Sequence, residues 1–479
     1  MEPPPPAAAS VSTAGPRVDV SATTIDHLDR VTVTHDGVDE ISATDFLDYR
    51  ATSGADKETL EFGPLVNMRC KALQFQLRSR DNALVARASG VRFRKGPAEP
   101  TQRHLAVTAL PTEMRVAWTS ANVSAHTPRV RYGRSVHALD REAVASGVTY
   151  DADDMCTAPA TTRGPRLFRD PGVIYDATMT DLTPGGTYYY QVGSGAVSGV
   201  HWSDVRSFRV PPLVEGDVRP MSFFVFGDLM APTDATRDFR VRGSCGTTME
   251  LIERDLIRDD EHQYAALIHV GDLSYAAGRT YVWDHFGALI EPVAARLPYM
   301  VSLGNHDFGY LEGREGRKPL RAPRHQVFDM DETKGFDAHG ECGVPSEARF
   351  RMPETGNGML WYSFDMGLTH HAVLSGEHDF SSGSPMHTWL LQDLASVDRA
   401  QTPWLIVHLH RPLYCSVAFR GDFVRSLFLR DELERVFAVF RVDIVFSGHY
   451  HSYERTCPVY DDQCLYGPRG EARAPIHIM

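Results

Sequence analysis

Apolar runs of four to six residues punctuate the second half of this chain, and each ends in a short polar motif. SFFVF runs into Gly227-Asp228, and AALIHV into Gly271-Asp272-Leu273-Ser274-Tyr275. PYMVSL runs into Gly304-Asn305-His306-Asp307, PWLI into Val407-His408-Leu409-His410, and VDIVFS into Gly448-His449-Tyr450-His451. Short apolar runs bounded by turn residues predict buried strands. Between them, Met249, Ile252, Leu256 and Ile257 recur at helical spacing, as do Leu427, Leu433, Val436, Phe437 and Phe440. Strands alternating with helices predict an α/β unit from about residue 219 to 479, with the five motifs at the carboxyl ends of its strands. Ligands gather at such ends in open α/β sheets.

Upstream the pattern changes. HLAVTAL, MRVAWTS, PRVRYG, VIYDATM, TYYYQVG and DVRSFRV are strand-like and separated by Gly, Pro and Asn. They predict a β-sandwich over 101–213, of fibronectin type III character around Leu182-Thr-Pro-Gly-Gly-Thr-Tyr-Tyr-Tyr190. Pro211-Pro212 marks a linker. Shorter alternating stretches such as VTVTHDGV and ALQFQLRS predict a small β domain over 18–100. Residues 1–17, rich in Pro and Ala, read as a disordered tail. The chain closes on Pro475-Ile-His-Ile-Met479, a strand entry, so the last unit reads as C-terminally incomplete.

The chain has 479 residues, a length that predicts more than one core. Its net charge of −13 argues against a nucleic-acid binder. No apolar run is long enough to span a membrane. MEPPPPAAAS has neither the basic nor the apolar region of a signal peptide. The seven cysteines form no CxxC pair, which argues against a thiolate zinc site. Cys457 and Cys464 flank the loop PVYDDQ and suit a local disulfide. The odd total leaves at least one thiol unpaired within the chain. Asn122-Val-Ser124 is a glycosylation sequon.

The strand-end residues are Asp, Asn, Tyr and His, an oxygen and imidazole set suited to two metal ions. A two-metal hydrolase needs a bridging carboxylate and unshared ligands on either side. Asp272 is the candidate bridge. Tyr275, three residues on, offers a phenolate, which favours a hard trivalent ion such as Fe(III). Asn305 offers a neutral oxygen. His449 and His451, one residue apart, can diverge to different ions. His370 and His371 read as structural and as pointing to opposite faces. His378, His387 and His408 read as structural or as supporting groups.

In this order, the motifs resemble those of the purple acid phosphatase family of metallophosphoesterases: GDxG, GDxxY, GNHE or GNHD, VxxH and GHxH. The stretches ECGVPSEARFRMP, WYSFDMGLTHHAVLSGEHDF, HSYERTCPVY and MCTAPA…FRDPGVI resemble the larger plant-type members, so the likeness covers most of 100–479. The resemblance implies a metallophosphoesterase α/β sandwich flanked by helices, behind the fibronectin type III-like unit. It implies Fe(III) bound by Asp228, Asp272, Tyr275 and His451, and a divalent ion (Zn, Mn or Fe) bound by Asp272, Asn305, His410 and His449. His306 would contact the substrate phosphate. The expected function is that of a secreted or vacuolar acid phosphatase hydrolysing small phosphate monoesters, with a homodimer as a compatible assembly. The alternatives are a nucleotide pyrophosphatase or phosphodiesterase on the same site, and a catalytically impaired binding protein. Two departures bear on the choice. Met230 stands where the family usually has Gly, a residue expected there for close backbone packing. Arg411 to Arg420 contains no histidine, which leaves the general acid open.

Overall fold

The computed structural model describes residues 8–12, 17–21, 30–35, 48–51, 57–61 and most of 66–479. Within that last span, residues 67–68, 70–71, 82, 94, 122–125, 165–166, 197–198, 213–219, 232–243, 259–262, 309–336 and 418–419 lie outside the description, and with them the Asn122 sequon.

The predicted core strands form where the apolar runs stand. Met221–Phe226, Gln263–Val270 and Tyr299–Ser302 make a parallel three-stranded sheet in chain order. Phe223 to Phe226 are half-buried rather than buried. A second sheet runs Tyr362–Met366, Thr369–Val373, Trp404–His408, Ile444–Phe446, Ile476–Ile478, Arg455–Tyr460 and Gln463–Cys464 in spatial order. Ile476–Ile478 is therefore paired on both sides, parallel to one neighbour and antiparallel to the other.

The two sheets face each other over a core of Ile268, Val270, Met300, Val301, Tyr362 and Val373. The Tyr362 hydroxyl crosses the layer to donate to the Val301 carbonyl at 2.8 Å. A stack of rings lies across the second sheet. Phe364 stacks on His371, His371 on His408, and His408 on Phe446, with centroids 4.7, 5.2 and 5.5 Å apart. These histidines belong to the core. Burial holds His408 down at about 3, and His371 well below the ordinary imidazole value. His370, on the opposite face, pairs across strands with Asp365.

The helices form where the periodicity predicts, at Ser244–Arg258 and in a continuous run from Arg420 to Val439 that includes a π-helical turn. Met249 and Ile252 face the core, whereas Ile257 is 63% exposed. It lies one residue from the helix end, past the stretch that packs.

The preceding β unit is a sandwich. One sheet carries Arg129–Gly133, Thr187–Ala196, Gly199–Trp202 and Arg206–Arg209; the other carries Thr101–Ala106, Met114–Ser120 and Val173–Met179. Trp118 is fully buried between them and donates its indole N–H to Ser194 at 2.9 Å.

Polar contacts tie the sandwich, and Arg69 before it, to the α/β unit. The helix Tyr281–Ala294 packs on Thr101–Ala106. Buried Asp284 accepts from Arg69 at 2.6 Å and from Gln102 at 2.9 Å, and Glu291 accepts from Arg103 at 2.6 Å. Cys156 and Cys342 form an unanticipated disulfide across 186 residues, beside the expected Cys457–Cys464 pair. The Pro/Ala-rich start departs from expectation. Ala8–Ser12 is a strand antiparallel to Arg17–Ser21, because ladder hydrogen bonds satisfy backbone groups whatever the composition.

His370 gives the fold a measurable pH signature. Burial alone would lower it, but Asp365 at 2.6 Å and Asp393 at 3.1 Å raise it to about 9. A group raised in the folded state contributes fully below the unfolded value, about 6.5 for histidine, and its contribution is lost as pH rises through the folded value. Wild type should therefore melt well above His370→Gln at pH 6, and the gap should close between pH 7 and 10. A gap constant over that range would contradict the assignment.

Candidate metal centre

All five motifs meet at one end of the two-sheet sandwich. Asp272 lies at their crossing and is 1% exposed. Its Oδ1 accepts the His306 backbone N–H at 2.9 Å, and its Oδ2 accepts the Tyr275 hydroxyl at 3.1 Å. His410 Nε2 approaches the same Oδ2 at 3.3 Å. Asp228 stands beside it, with Oδ2 accepting the His449 backbone N–H at 2.9 Å. Asp228 Oδ1, Tyr275 Oη and His451 Nε2 form a tight triangle with sides of 3.0, 2.9 and 3.1 Å.

The backbone reaches this geometry at a conformational cost. Asp228, Asp272, Tyr275, His449 and His451 have φ of 60°, 53°, 53°, 79° and 47°. Each left-handed non-glycine residue costs roughly 1–2 kcal/mol. Strain gathered at one place is characteristic of functional sites. Met230 belongs to the same group, with φ 59°. The glycine expected at its position is thus replaced where conformation, rather than close packing, is demanding.

Close packing acts instead at the motif glycines. A Cβ on Gly304 would lie 2.2 Å from Asp272 Oδ1 and 2.5 Å from its backbone nitrogen. A Cβ on Gly448 would lie 2.7 Å from Asp228 Oδ2. Each glycine makes room for a carboxylate from another motif.

The electrostatics favour a bound cation. Burial opposes ionisation of Asp272, yet His410 and His306 hold it well below the usual carboxylate range. Burial would lower His410, but Asp272 and Asp228 raise it to about 10. Burial and the same two carboxylates push the Tyr275 phenol far above its ordinary range. Only a strong positive charge would make that hydroxyl a phenolate.

Two donor atoms also await a partner. Asn305 Oδ1 and His410 Nε2 are buried and make no hydrogen bond, while Asn305 Nδ2 is anchored on Asp337 at 2.9 Å. The ion-pair contact of His410 with Asp272 stands without a hydrogen bond. Asp272, His410 and His449 bring one ligand atom each within 4.8 Å of one another, a group able to hold a metal ion. The triangle at Asp228 fits as well: ligands about 2.1 Å from an octahedral ion sit roughly 3 Å apart. The donor set fits metal ions.

His306 stacks on Tyr275, with centroids 4.4 Å apart, and its Nε2 lies 4.0 Å from Asp272. His306 and His451 are the open side of the centre, at 20% and 51% side-chain exposure. Three participants went unnoticed in the sequence. Asp307 joins two motif turns, with Oδ1 on the Leu273 N–H and Oδ2 on the Gly304 N–H. Its place in the GNHD motif was the available signal. Asp337 orients Asn305, and Arg411 contacts His449; neither role has a local signature. Of the histidines read as structural, His378 bonds Ser375, and His371 bonds Thr369 and His408.

Comparison with known proteins agrees with this architecture. Residues 100–210 match the family described as Purple acid Phosphatase, N-terminal domain, and residues 221–453 match Calcineurin-like phosphoesterase. The solved structure of purple acid phosphatase PPD1 from yellow lupin (Lupinus luteus) seeds superposes with a TM-score of 0.76 at 25% identity. That match covers 96% of this chain and 82% of the lupin chain. A protein of Arabidopsis thaliana named Probable inactive purple acid phosphatase 9 is 35% identical over 409 residues, 83% of this chain and 59% of the relative. The Nucleotide pyrophosphatase/phosphodiesterase of Hordeum vulgare is 36% identical over 277 residues, 56% of this chain and 68% of that protein. The chain spans about 60% of the length of four Arabidopsis relatives it matches.

These comparisons correct one expectation. Four Arabidopsis relatives, at 31–35% identity and 80% or more of this chain, all carry the name "probable inactive". The reading as an acid phosphatase hydrolysing monoesters, and the hydrolase assignment with it, is overturned. Motif order reports the ligands and is blind to whether turnover survives.

Gly304→Ala tests the packing of the centre. The added methyl must displace Asp272, so bound metal should fall at least about tenfold and stability by roughly 1–3 kcal/mol. Metal analysis and thermal melting read both. Full metal content in the variant would contradict the close approach.

Proposed function

Because this chain belongs to the purple acid phosphatase family of calcineurin-like metallophosphoesterases, we propose that it is a metal-holding protein that binds phosphate esters and is impaired in turning over monoesters. The reading is carried by one juxtaposition: a convergent ligand set around Asp272, in a chain four of whose Arabidopsis relatives are named probable inactive. Asp228, Asp272, Tyr275 and His451 would hold Fe(III). Asp272, Asn305, His410 and His449 would hold a divalent ion, Zn, Mn or Fe. When bound, the ions supply the positive charge that draws a phosphate group to an otherwise acidic chain. His306, on the open side, donates to a phosphate oxygen. Expulsion of an alcohol also needs a proton donor, and Arg411 to Arg420 offers no histidine for it.

The division into units at 18–100, 101–213 and 219–479 belongs to the same proposal. So does a secreted or vacuolar location, which the two disulfides support.

The test is calorimetry with inorganic phosphate and an assay with p-nitrophenyl phosphate, on one metal-analysed sample. Phosphate should bind with metal present. Monoester turnover should lie at least about a thousandfold below the 1–1,000 s⁻¹ usual for enzymes. Turnover within that range, or no phosphate binding, would contradict the proposal. A second reading, favoured by the barley relative, is action on phosphodiester or pyrophosphate bonds. Hydrolysis of bis(p-nitrophenyl) phosphate without monoester hydrolysis would select it.

A further inference from the structure

Arg411 follows the candidate ligand His410 directly and is 2% exposed. Its Nη1 lies 3.0 Å from Nε2 of a second candidate ligand, His449. Its Nε donates to Glu377 at 2.5 Å, and Arg425 reaches the other oxygen of that carboxylate at 3.5 Å. The guanidinium is thus fixed beside the ligand pair rather than swinging in solvent.

A guanidinium has donors and no acceptor. To receive its N–H, His449 Nε2 must present its lone pair. A metal ion on Nε2 would take that same lone pair. A metal ion on Nδ1 would leave the ring proton on Nε2, facing the Arg411 N–H. Either mode of ligation costs the Arg411–His449 contact and sets a divalent cation a few ångströms from a fixed positive charge. At the other half of the centre, His451 Nε2 faces Tyr275 Oη and Asp228 Oδ1, groups that an ion would share rather than fight.

We infer that Arg411 sets the affinity of the divalent position, so that the centre holds its first ion firmly and its second weakly. The inference rests on the metal-holding reading above and deepens it. Arg411 acts through His449 and is a positioning residue. A centre resting with one ion lacks the pair that stabilises both the attacking and leaving oxygens in two-metal hydrolysis. This supplies a physical cause for impaired turnover, independent of the missing histidines.

The test reads metal rather than activity. The chain is stripped with a chelator, loaded with iron, titrated with zinc and passed through gel filtration before elemental analysis. Wild type should keep about one iron per chain and lose its zinc. Arg411→Gln should tighten zinc by at least about tenfold, the scale of one removed unit charge at short range, and leave iron unchanged. Arg411→Gln combined with Glu377→Gln removes the buried charge pair together, so the measurement survives if the single variant folds poorly. Thermal melting verifies both. Two ions held tightly by wild type would overturn the inference. So would an unchanged zinc dissociation constant in the folded double variant. Failure to hold even the first ion would overturn the metal-holding reading as well, which separates the two failures.

Discussion

The site depends on where one carboxylate can be put. Asp272 stands at the end of a central buried strand, in a left-handed conformation that turns its side chain across the mouth of the sandwich. Its own motif and the one at Gly304 are shaped to receive it. Gly304 withdraws its side chain, His306 lends a backbone N–H, and Tyr275 lends its hydroxyl. Asp307 then locks the turns of two motifs to each other through a pair of backbone hydrogen bonds. Moving Asp272 by the width of a methyl group would disturb all of these together.

Placing two carboxylates each about 3 Å from one phenol oxygen in a buried setting is unfavourable without positive charge, since desolvation penalises every ionised group. The elevated imidazole of His410 offsets part of this. Asn305 Oδ1 adds a lone pair that no hydrogen bond engages, and a metal ion on His410 Nε2 would take the place of its proton. The surrounding fold tolerates this because it is anchored elsewhere, by the apolar layer between the sheets, by the charged contacts of Asp284 with Arg69 and of Glu291 with Arg103, and by the disulfide Cys156–Cys342. Ligand convergence and turnover are separable properties of such a centre. The first needs only geometry. The second also needs both ions in place and a proton for the leaving group.

Much of this was legible in the sequence, and for definite reasons. Apolar runs closed by Gly-Asp, Gly-Asn and Gly-His located the core strands, because a buried strand must be apolar and its end must turn. The ligand types followed from the strand-end residues. What was not legible depends on contacts between distant segments. Asp337 reaches Asn305 across 32 residues, and Arg411 reaches His449 across 38. The disulfide from Cys156 to Cys342 has no local pattern at all. The left-handed φ of Met230 is likewise invisible until the backbone is seen. The activity expectation failed because motifs record which atoms are present and not whether turnover survives.

The central claim is that Asp272 is the carboxylate around which bound metal assembles. Crystals of the chain soaked in iron and excess zinc, with anomalous difference maps collected at both absorption edges, address it directly. The account predicts an iron peak within bonding distance of both Asp272 and Tyr275, and any zinc peak on the His410 side of the same carboxylate. Iron found away from Asp272, or no anomalous density at that carboxylate at either edge, would contradict it.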